Sequence, residues 1–190
     1  MYDLKPDGLY MIETMVDDAE AMARAERVVK ALGRTLDDIV RVAPQDVYDL
    51  ARQLQKWPEQ PLSTEPPVQH QRPLVFTRIV LDEQRELTRL VSERPEGLAE
   101  STVSNLLGFI EAARDTHSQE IDLERNQVCW NTQDFGVMVG CPHGCRYCGF
   151  GLEGKFVTLG TNIVEFCERV ARKTIAEHPA QKCFCIIGWA

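Results

Sequence analysis

Residues 141–148 read Cys-Pro-His-Gly-Cys-Arg-Tyr-Cys, and this stretch decides which fold the sequence predicts. Its three thiols, on Cys141, Cys145 and Cys148, follow the spacing C-x3-C-x2-C. Three thiolates can bind three irons of one cubane iron–sulfur cluster and leave the fourth iron without a protein ligand. A cluster with four cysteine ligands is closed and transfers electrons, whereas the open iron of this pattern can bind a substrate.

A structural zinc site is the main alternative. Zinc prefers four ligands, commonly arranged as two close pairs separated by a longer loop, but no second C-x2-C pair follows this one. His143 lies inside the loop and would have to fold back on its neighbours, so Cys129, twelve residues upstream of Cys141, is the better fourth ligand. Disulfides are disfavoured, because the seven cysteines are an odd number and the chain, which has no visible signal peptide, is predicted to be cytoplasmic.

The three-cysteine pattern resembles the signature of the radical SAM (S-adenosylmethionine) enzymes. The resemblance implies that Cys141, Cys145 and Cys148 hold a [4Fe-4S] cluster, whose open iron binds the amino and carboxylate groups of SAM. It also implies that an electron from the reduced cluster breaks the sulfonium bond, giving a 5′-deoxyadenosyl radical that abstracts hydrogen from a substrate. The implied electron donor is a protein such as flavodoxin or ferredoxin.

Two further loop residues are candidates for cofactor binding. Tyr147 fits the aromatic position of the family's pattern, where it would pack near the adenine of SAM; a half-buried loop aromatic is the alternative. Gly149, like Gly144, lets the backbone wrap closely around a bulky cluster, because glycine tolerates positive φ and has no Cβ.

The sequence on both sides of the loop predicts the first βαβ unit of a radical SAM barrel, a partial TIM-type barrel. Residues 135–139 predict a buried strand, and Gly140 leads from its carboxyl end into the cysteine loop, where such barrels place their active sites. Residues 155–160 predict a small extra strand, and residues 183–189 predict a second buried strand.

An amphipathic helix is predicted between these two strands. It begins near Asn162, which with Glu165 forms an N-cap pair, and it ends at His178, because the residue before Pro179 resists the α conformation. Cys167 lies on its apolar face and is predicted to pack in the core. Only 42 residues follow Cys148 and two strands cannot enclose SAM, so we expect the barrel to be incomplete and the native chain to continue.

The first 128 residues predict a small α/β or mostly helical region. The predicted segments are an N-terminal α/β region (1–57), a proline-rich linker (58–73), a mostly helical region (74–128) and the start of the barrel (129–190). Strands are predicted for 9–14, 38–42 and 75–80, and helices for 17–32, 44–57, 82–93 and 98–114. No apolar run is long enough to span a bilayer.

Charge is distributed unevenly along the chain. Residues 1–140 carry 15 basic and 25 acidic side chains, whereas residues 141–190 carry 6 basic and 4 acidic ones. Because binding to duplex DNA favours a strongly basic surface, the acidic balance argues against nucleic-acid binding by the N-terminal region.

Residues 135–190 also resemble the spore photoproduct lyase and DNA-repair-photolyase-like branch of the superfamily. In that branch the cysteine loop is followed by a short strand, a helix ending near a proline and a Phe-containing second strand. The resemblance implies lyase chemistry, with thymine dimers in DNA as one candidate substrate.

This sequence departs from that branch at the hydrogen donor. The branch has a donor cysteine just after the second strand, where residues 187–189 read Ile-Gly-Trp here. Cys183 and Cys185 precede these residues and lie on one face of the predicted strand. Their thiols either pack in the core or have a redox role. The sequence therefore predicts a hydrogen-abstracting enzyme other than an ordinary spore photoproduct lyase. The alternative is a binding module without catalytic activity, in which a zinc ion or a cluster only stabilises the loop.

Overall fold

The computed structural model describes residues 6–56, 72–110, 133–134, 137–140, 156–177 and 186–187. Within these residues the chain is α/β, as the sequence predicts. The strands are β1 (Leu9–Ile12), β2 (Val40–Val42), β3 (Leu74–Thr77), β4 (Gln133–Asp134), β5 (Met138–Val139), β6 (Val157–Gly160) and β7 (Ile186–Ile187). The helices are α1 (Ala19–Ala31), α2 (Val47–Gln55), α3 (Arg85–Ser92), α4 (Glu100–Leu106) and α5 (Ile163–Glu177).

Five of the strands form one mostly parallel sheet. Their order across the sheet is β2-β1-β3-β6-β5, with β5 running antiparallel to its neighbour β6. The other pairs, β1 with β2, β1 with β3 and β3 with β6, are all parallel. The remaining strands, β4 and β7, form a separate parallel pair.

Helices cover both faces of the five-stranded sheet. Because successive side chains of a strand point to opposite faces, each strand contributes to two cores. One core joins β1 and β3 to α1, and its buried members include Leu9, Met11, Phe76, Ala25 and Val29. The other joins the same strands to α2, α3 and α4, and its buried members include Ile12, Val75, Leu54, Leu90 and Leu106. This layering is the usual arrangement of a parallel sheet that is buried on both faces.

Most N-terminal elements lie where local sequence signals predict them. Asp18 caps α1, since its Oδ1 accepts the backbone N–H groups of Glu20 (3.1 Å) and Ala21 (2.9 Å). Gly33, with φ of +71°, lies just past the end of this helix, and Pro44 opens the short 3-10 turn that precedes α2. Both ends of α1 and the start of α2 therefore lie at residues with recognisable capping or turn chemistry.

The helix predicted for residues 98–114 is too long. In the structure α4 ends at Leu106, and Gly108 has φ of +86°. A Cβ on Gly108 would lie 1.9 Å from the carbonyl oxygen of Arg78, and the Gly108 carbonyl accepts the backbone N–H of Val80 at 2.8 Å. The helix stops because the chain must turn at a glycine that lies directly against the end of β3.

The C-terminal elements follow the predicted order, but their lengths, burial and positions in the sheet differ from the prediction. β5 is shorter than the predicted strand and is half-buried instead of buried. β6, predicted as a small extra strand, is an integral part of the sheet between β3 and β5, and its Val157, Thr158 and Gly160 are buried. α5 spans Ile163–Glu177, and its predicted end at His178 lies outside the described residues.

β4 and β7 flank α5 and pair in parallel, with Gln133 opposite Ile186 and Asp134 opposite Ile187. In the chain β5 and β6 lie between β4 and α5, so the parallel partner of β7 is β4 and not β5, the described part of the strand predicted for 135–139. The described strands form an open sheet and a two-stranded pair, so the barrel stays a prediction. The sheet takes strands from the predicted segments 1–57, 74–128 and 129–190; that division of the chain also stays a prediction. Of the helices that the structure describes, none has the length and apolar character that a membrane span requires.

Candidate functional site

The predicted cofactor site lies in residues 141–155, outside the described part of the chain. This segment contains all of the predicted site residues, namely Cys141, Cys145, Tyr147, Cys148 and Gly149. Three further cysteines also lie outside the described residues, namely Cys129, Cys183 and Cys185. The structure therefore informs on the site through the residues on either side of the segment.

The two ends of the cysteine segment are held next to each other. β5 leads into it and β6 follows it, and these strands pair with Met138 opposite Leu159 and Val139 opposite Thr158. The backbone N–H of Gly160 also donates to the carbonyl of Val137, at 2.7 Å. The segment thus leaves and re-enters the fold at one place, and the sheet fixes both of its ends.

Gly140 is required at the start of the segment. It has φ of +85°, a conformation that costs an L-residue energy, and a Cβ there would lie 2.4 Å from the carbonyl oxygen of Phe156. Gly140 therefore permits a close approach between the two backbone stretches from which the cysteine segment extends.

The direction of β5 decides which edge of the sheet carries the segment. Because β5 runs antiparallel to β6, its carboxyl end lies at the amino ends of β3 and β6. The sequence correctly indicates that the segment begins at the carboxyl end of a strand. It does not indicate that this end lies at the edge opposite to the carboxyl ends of the four parallel strands.

The carboxyl edge of those parallel strands carries its own group of polar residues. The connections from β1 and β3 lead to opposite sides of the sheet, and open α/β sheets commonly bind ligands at such a switch point. Here the Arg78 guanidinium lies 3.5 Å from the carboxylate of Asp18 and 2.6 Å from that of Glu165. Thr14, just after β1, has a buried hydroxyl without a hydrogen-bond partner. Since the charged groups at this edge pair with one another, we assign no ligand to it.

Asn162 does more than the predicted N-cap pair requires. Its Nδ2 contacts Glu165 Oε2 at 3.1 Å, but its Oδ1 accepts the backbone N–H of Ile79 at 2.7 Å and its Nδ2 donates to the Ile79 carbonyl at 3.0 Å. The side chain is buried, so these bonds satisfy backbone groups that water does not reach. Sequence reasoning missed this role, because the two residues are 83 positions apart and no local pattern relates them.

Cys167 has the surroundings of a packing residue. It is half-buried on α5 and contacts the cluster formed by Ile79, Ile110 and Phe166. Burial raises the pKa of its thiol, which disfavours the thiolate that binds metals. In the described stretches of the chain, no three His, Cys, Asp or Glu side chains are grouped so that they could hold a metal ion.

We expect Thr158→Val to raise the free energy of unfolding by about 1 kcal/mol, because the fully buried Thr158 hydroxyl has no hydrogen-bond partner. Thr77→Val is the matched control: Thr77 is equally buried but donates to the Leu106 carbonyl at 3.0 Å, so this change should lower the free energy by about 1 kcal/mol. Chemical denaturation of both variants measures the difference. Equal destabilisation by the two changes would show that the Thr158 hydroxyl has a partner in solution.

No protein-family model, curated protein or solved structure matches this chain. The functional interpretation therefore depends on the spacing of the cysteines and on the geometry of the strands around them.

Proposed function

We propose that this chain belongs to a cytoplasmic radical SAM enzyme, and that Cys141, Cys145 and Cys148 hold its [4Fe-4S] cluster. The observation that carries the proposal is the C-x3-C-x2-C spacing, which supplies three thiolates within eight residues and leaves one iron open. In this proposal β4, α5 and β7 form the first βαβ unit of the barrel.

The residues present fit a cluster of this kind in two respects. Thiolates are the ordinary ligands of iron–sulfur clusters, and the segment supplies three of them close together. The paired strands β5 and β6 hold both ends of the segment, and Gly140 lets them approach closely. A short loop with fixed ends loses less conformational entropy when it wraps around a cluster than a free loop would.

When bound and reduced, the cluster would supply one electron for cleavage of the bond from sulfur to C5′ of SAM, which would give methionine and a 5′-deoxyadenosyl radical. The thiolates of the three cysteines hold the cluster, Gly149 leaves room for it, and Tyr147 is proposed to contact the adenine of SAM. The reductant is a protein such as flavodoxin or ferredoxin.

The substrate follows less directly from the residues. The resemblance to the DNA-photoproduct-lyase branch makes DNA one candidate, and hydrogen abstraction the reaction type. Residues 187–189, however, read Ile-Gly-Trp where the branch has its donor cysteine, and none of these side chains donates a hydrogen atom as readily as a thiol. We therefore propose a hydrogen-abstracting enzyme that differs from an ordinary spore photoproduct lyase.

Anaerobic reconstitution of the full-length protein tests this function. We expect roughly four irons and four sulfides per chain, and an EPR signal of the reduced protein that changes when SAM is added. Stoichiometric zinc without iron–sulfur absorption would instead support the alternative, a binding module stapled by zinc, with Cys129 as the fourth ligand.

A further inference from the structure

α5 docks on the segment 78–82, which follows β3, around a single apolar side chain. Phe166 is buried against Ile79 and Ile110, and among the α5 side chains that the structure describes it is the one that is buried. α2 differs, because it buries four side chains in the core, namely Val47, Leu50, Ala51 and Leu54. In the described residues, the docking of α5 therefore depends more on polar contacts than the docking of α2 does.

The buried part of these polar contacts is made by Thr161 and Asn162, immediately before α5. The Asn162 side chain accepts the backbone N–H of Ile79 at 2.7 Å and donates to the Ile79 carbonyl at 3.0 Å. The backbone N–H and the hydroxyl of Thr161 both donate to the Thr77 carbonyl, at 2.9 Å and 3.0 Å. Both side chains are buried, so dissolved salt screens this part of the docking only weakly.

The exposed part consists of two ion pairs between α5 and the same segment. Glu165 contacts Arg78 at 2.6 Å, and Arg169 forms a bidentate pair with Asp82. The side chains of Glu165, Arg169 and Asp82 are 43%, 47% and 69% exposed. Ion pairs as exposed as these each contribute little to stability, and salt screens them. The docking of α5 therefore has a component that depends on ionic strength.

We propose that α5 and the segment 78–82 separate in a local, salt-dependent opening while the rest of the sheet stays folded. Local opening is expected where an element buries few apolar side chains and has many exposed polar contacts. The opening breaks the bonds of Asn162 to Ile79 and both ion pairs. It also uncovers the apolar cluster of Ile79, Ile110 and Phe166, which Cys167 contacts, so the Cys167 thiol reports the open state.

Amide hydrogen exchange of the whole chain in low and high salt tests the opening, and it needs no cofactor. Between about 0.1 M and 1 M NaCl the Debye length falls from about 10 Å to about 3 Å, which weakens the two exposed ion pairs. We expect the α5 amides to exchange about threefold faster in the higher salt, and the α2 amides in the same sample to be unaffected. An equal effect of salt on both helices would overturn the proposal.

Asp82→Asn removes one ion pair between the segment and the helix. Glu168→Gln is the matched control, since Glu168 pairs with Arg172 at 3.4 Å within α5. We expect Asp82→Asn to speed both α5 exchange and the labelling of Cys167 by N-ethylmaleimide about threefold. Glu168→Gln should change neither rate. Peptide mass mapping locates the labelled thiol, and equal rates in the two variants would contradict the opening.

Asn162→Ala removes the buried part of the docking and should have the larger effect. Its loss leaves the backbone groups of Ile79 without partners, so we expect α5 exchange to speed about tenfold more than α2 exchange in the same variant. If both helices accelerate equally, α5 opens only when the whole protein unfolds, and the local opening is disproved. Should Asn162→Ala fail to fold, Asp82→Asn still decides the question, because Asp82 lies on the surface.

Discussion

Replacing Cys141, Cys145 or Cys148 singly with Ala is expected to abolish the iron–sulfur cluster. Each cysteine supplies the only protein ligand of one iron in the proposed site, and a cluster held by two thiolates exposes a second iron to solvent. Iron content and the absorption of the reconstituted protein measure the loss. Cys167→Ala is the control, since this thiol is half-buried against an apolar cluster and should leave iron binding unchanged.

Cys129→Ala separates the proposed cluster from the zinc alternative. A three-cysteine cluster should survive this change, whereas a four-ligand zinc site that uses Cys129 should lose its metal as completely as it does in the Cys141 variant. Retention of a full cluster in any one of the three single variants would contradict the ligand assignment.

The N-terminal fold could largely be predicted because its signals are local. Asp18 and Gly33 mark the two ends of α1, and Pro44 marks the start of α2, through the chemistry of capping and turns, which operates over a few residues. The end of α4 carries the same local signal, because Gly108 follows the helix with positive φ as Gly33 follows α1, and the helix predicted for 98–114 is wrong in running past this glycine. The sequence does not show that Gly108 also lies against the carbonyl of Arg78, which is distant in sequence.

For the candidate site as well, the sequence predicts the features that depend on neighbouring residues and not those that depend on distant ones. The proposed ligand set comes from eight consecutive residues, because the prediction depends only on the spacing of three cysteines in one segment. The edge of the sheet that carries the loop could not be read, because it depends on whether β5 pairs with β6 in parallel or antiparallel fashion. The hydrogen bonds between Asn162 and Ile79 could not be predicted either, because no local sequence pattern relates two residues that are 83 positions apart.

Gly140→Ala is expected to lower the free energy of unfolding by about 2–4 kcal/mol. Part of this cost is the positive φ of +85°, which an alanine adopts only with strain. The rest is the collision of the new Cβ with the Phe156 carbonyl, 2.4 Å away, which pushes β5 and β6 apart where the cysteine segment begins. We therefore also expect the reconstituted variant to hold less iron than the wild type.

Gly97→Ala separates the two parts of that cost. Gly97 has a nearly identical φ of +87°, but nothing lies within 4 Å of a Cβ built there, so its replacement should cost only the strain, about 1–2 kcal/mol. Denaturation of both variants by urea isolates the collision as the difference between them. Equal losses would mean that the Phe156 carbonyl moves aside without cost, and the close approach at Gly140 would then not hold the ends of the cysteine segment. A larger loss in Gly140→Ala, together with reduced iron content, would connect the packing of two backbone stretches to the cluster proposed beyond them.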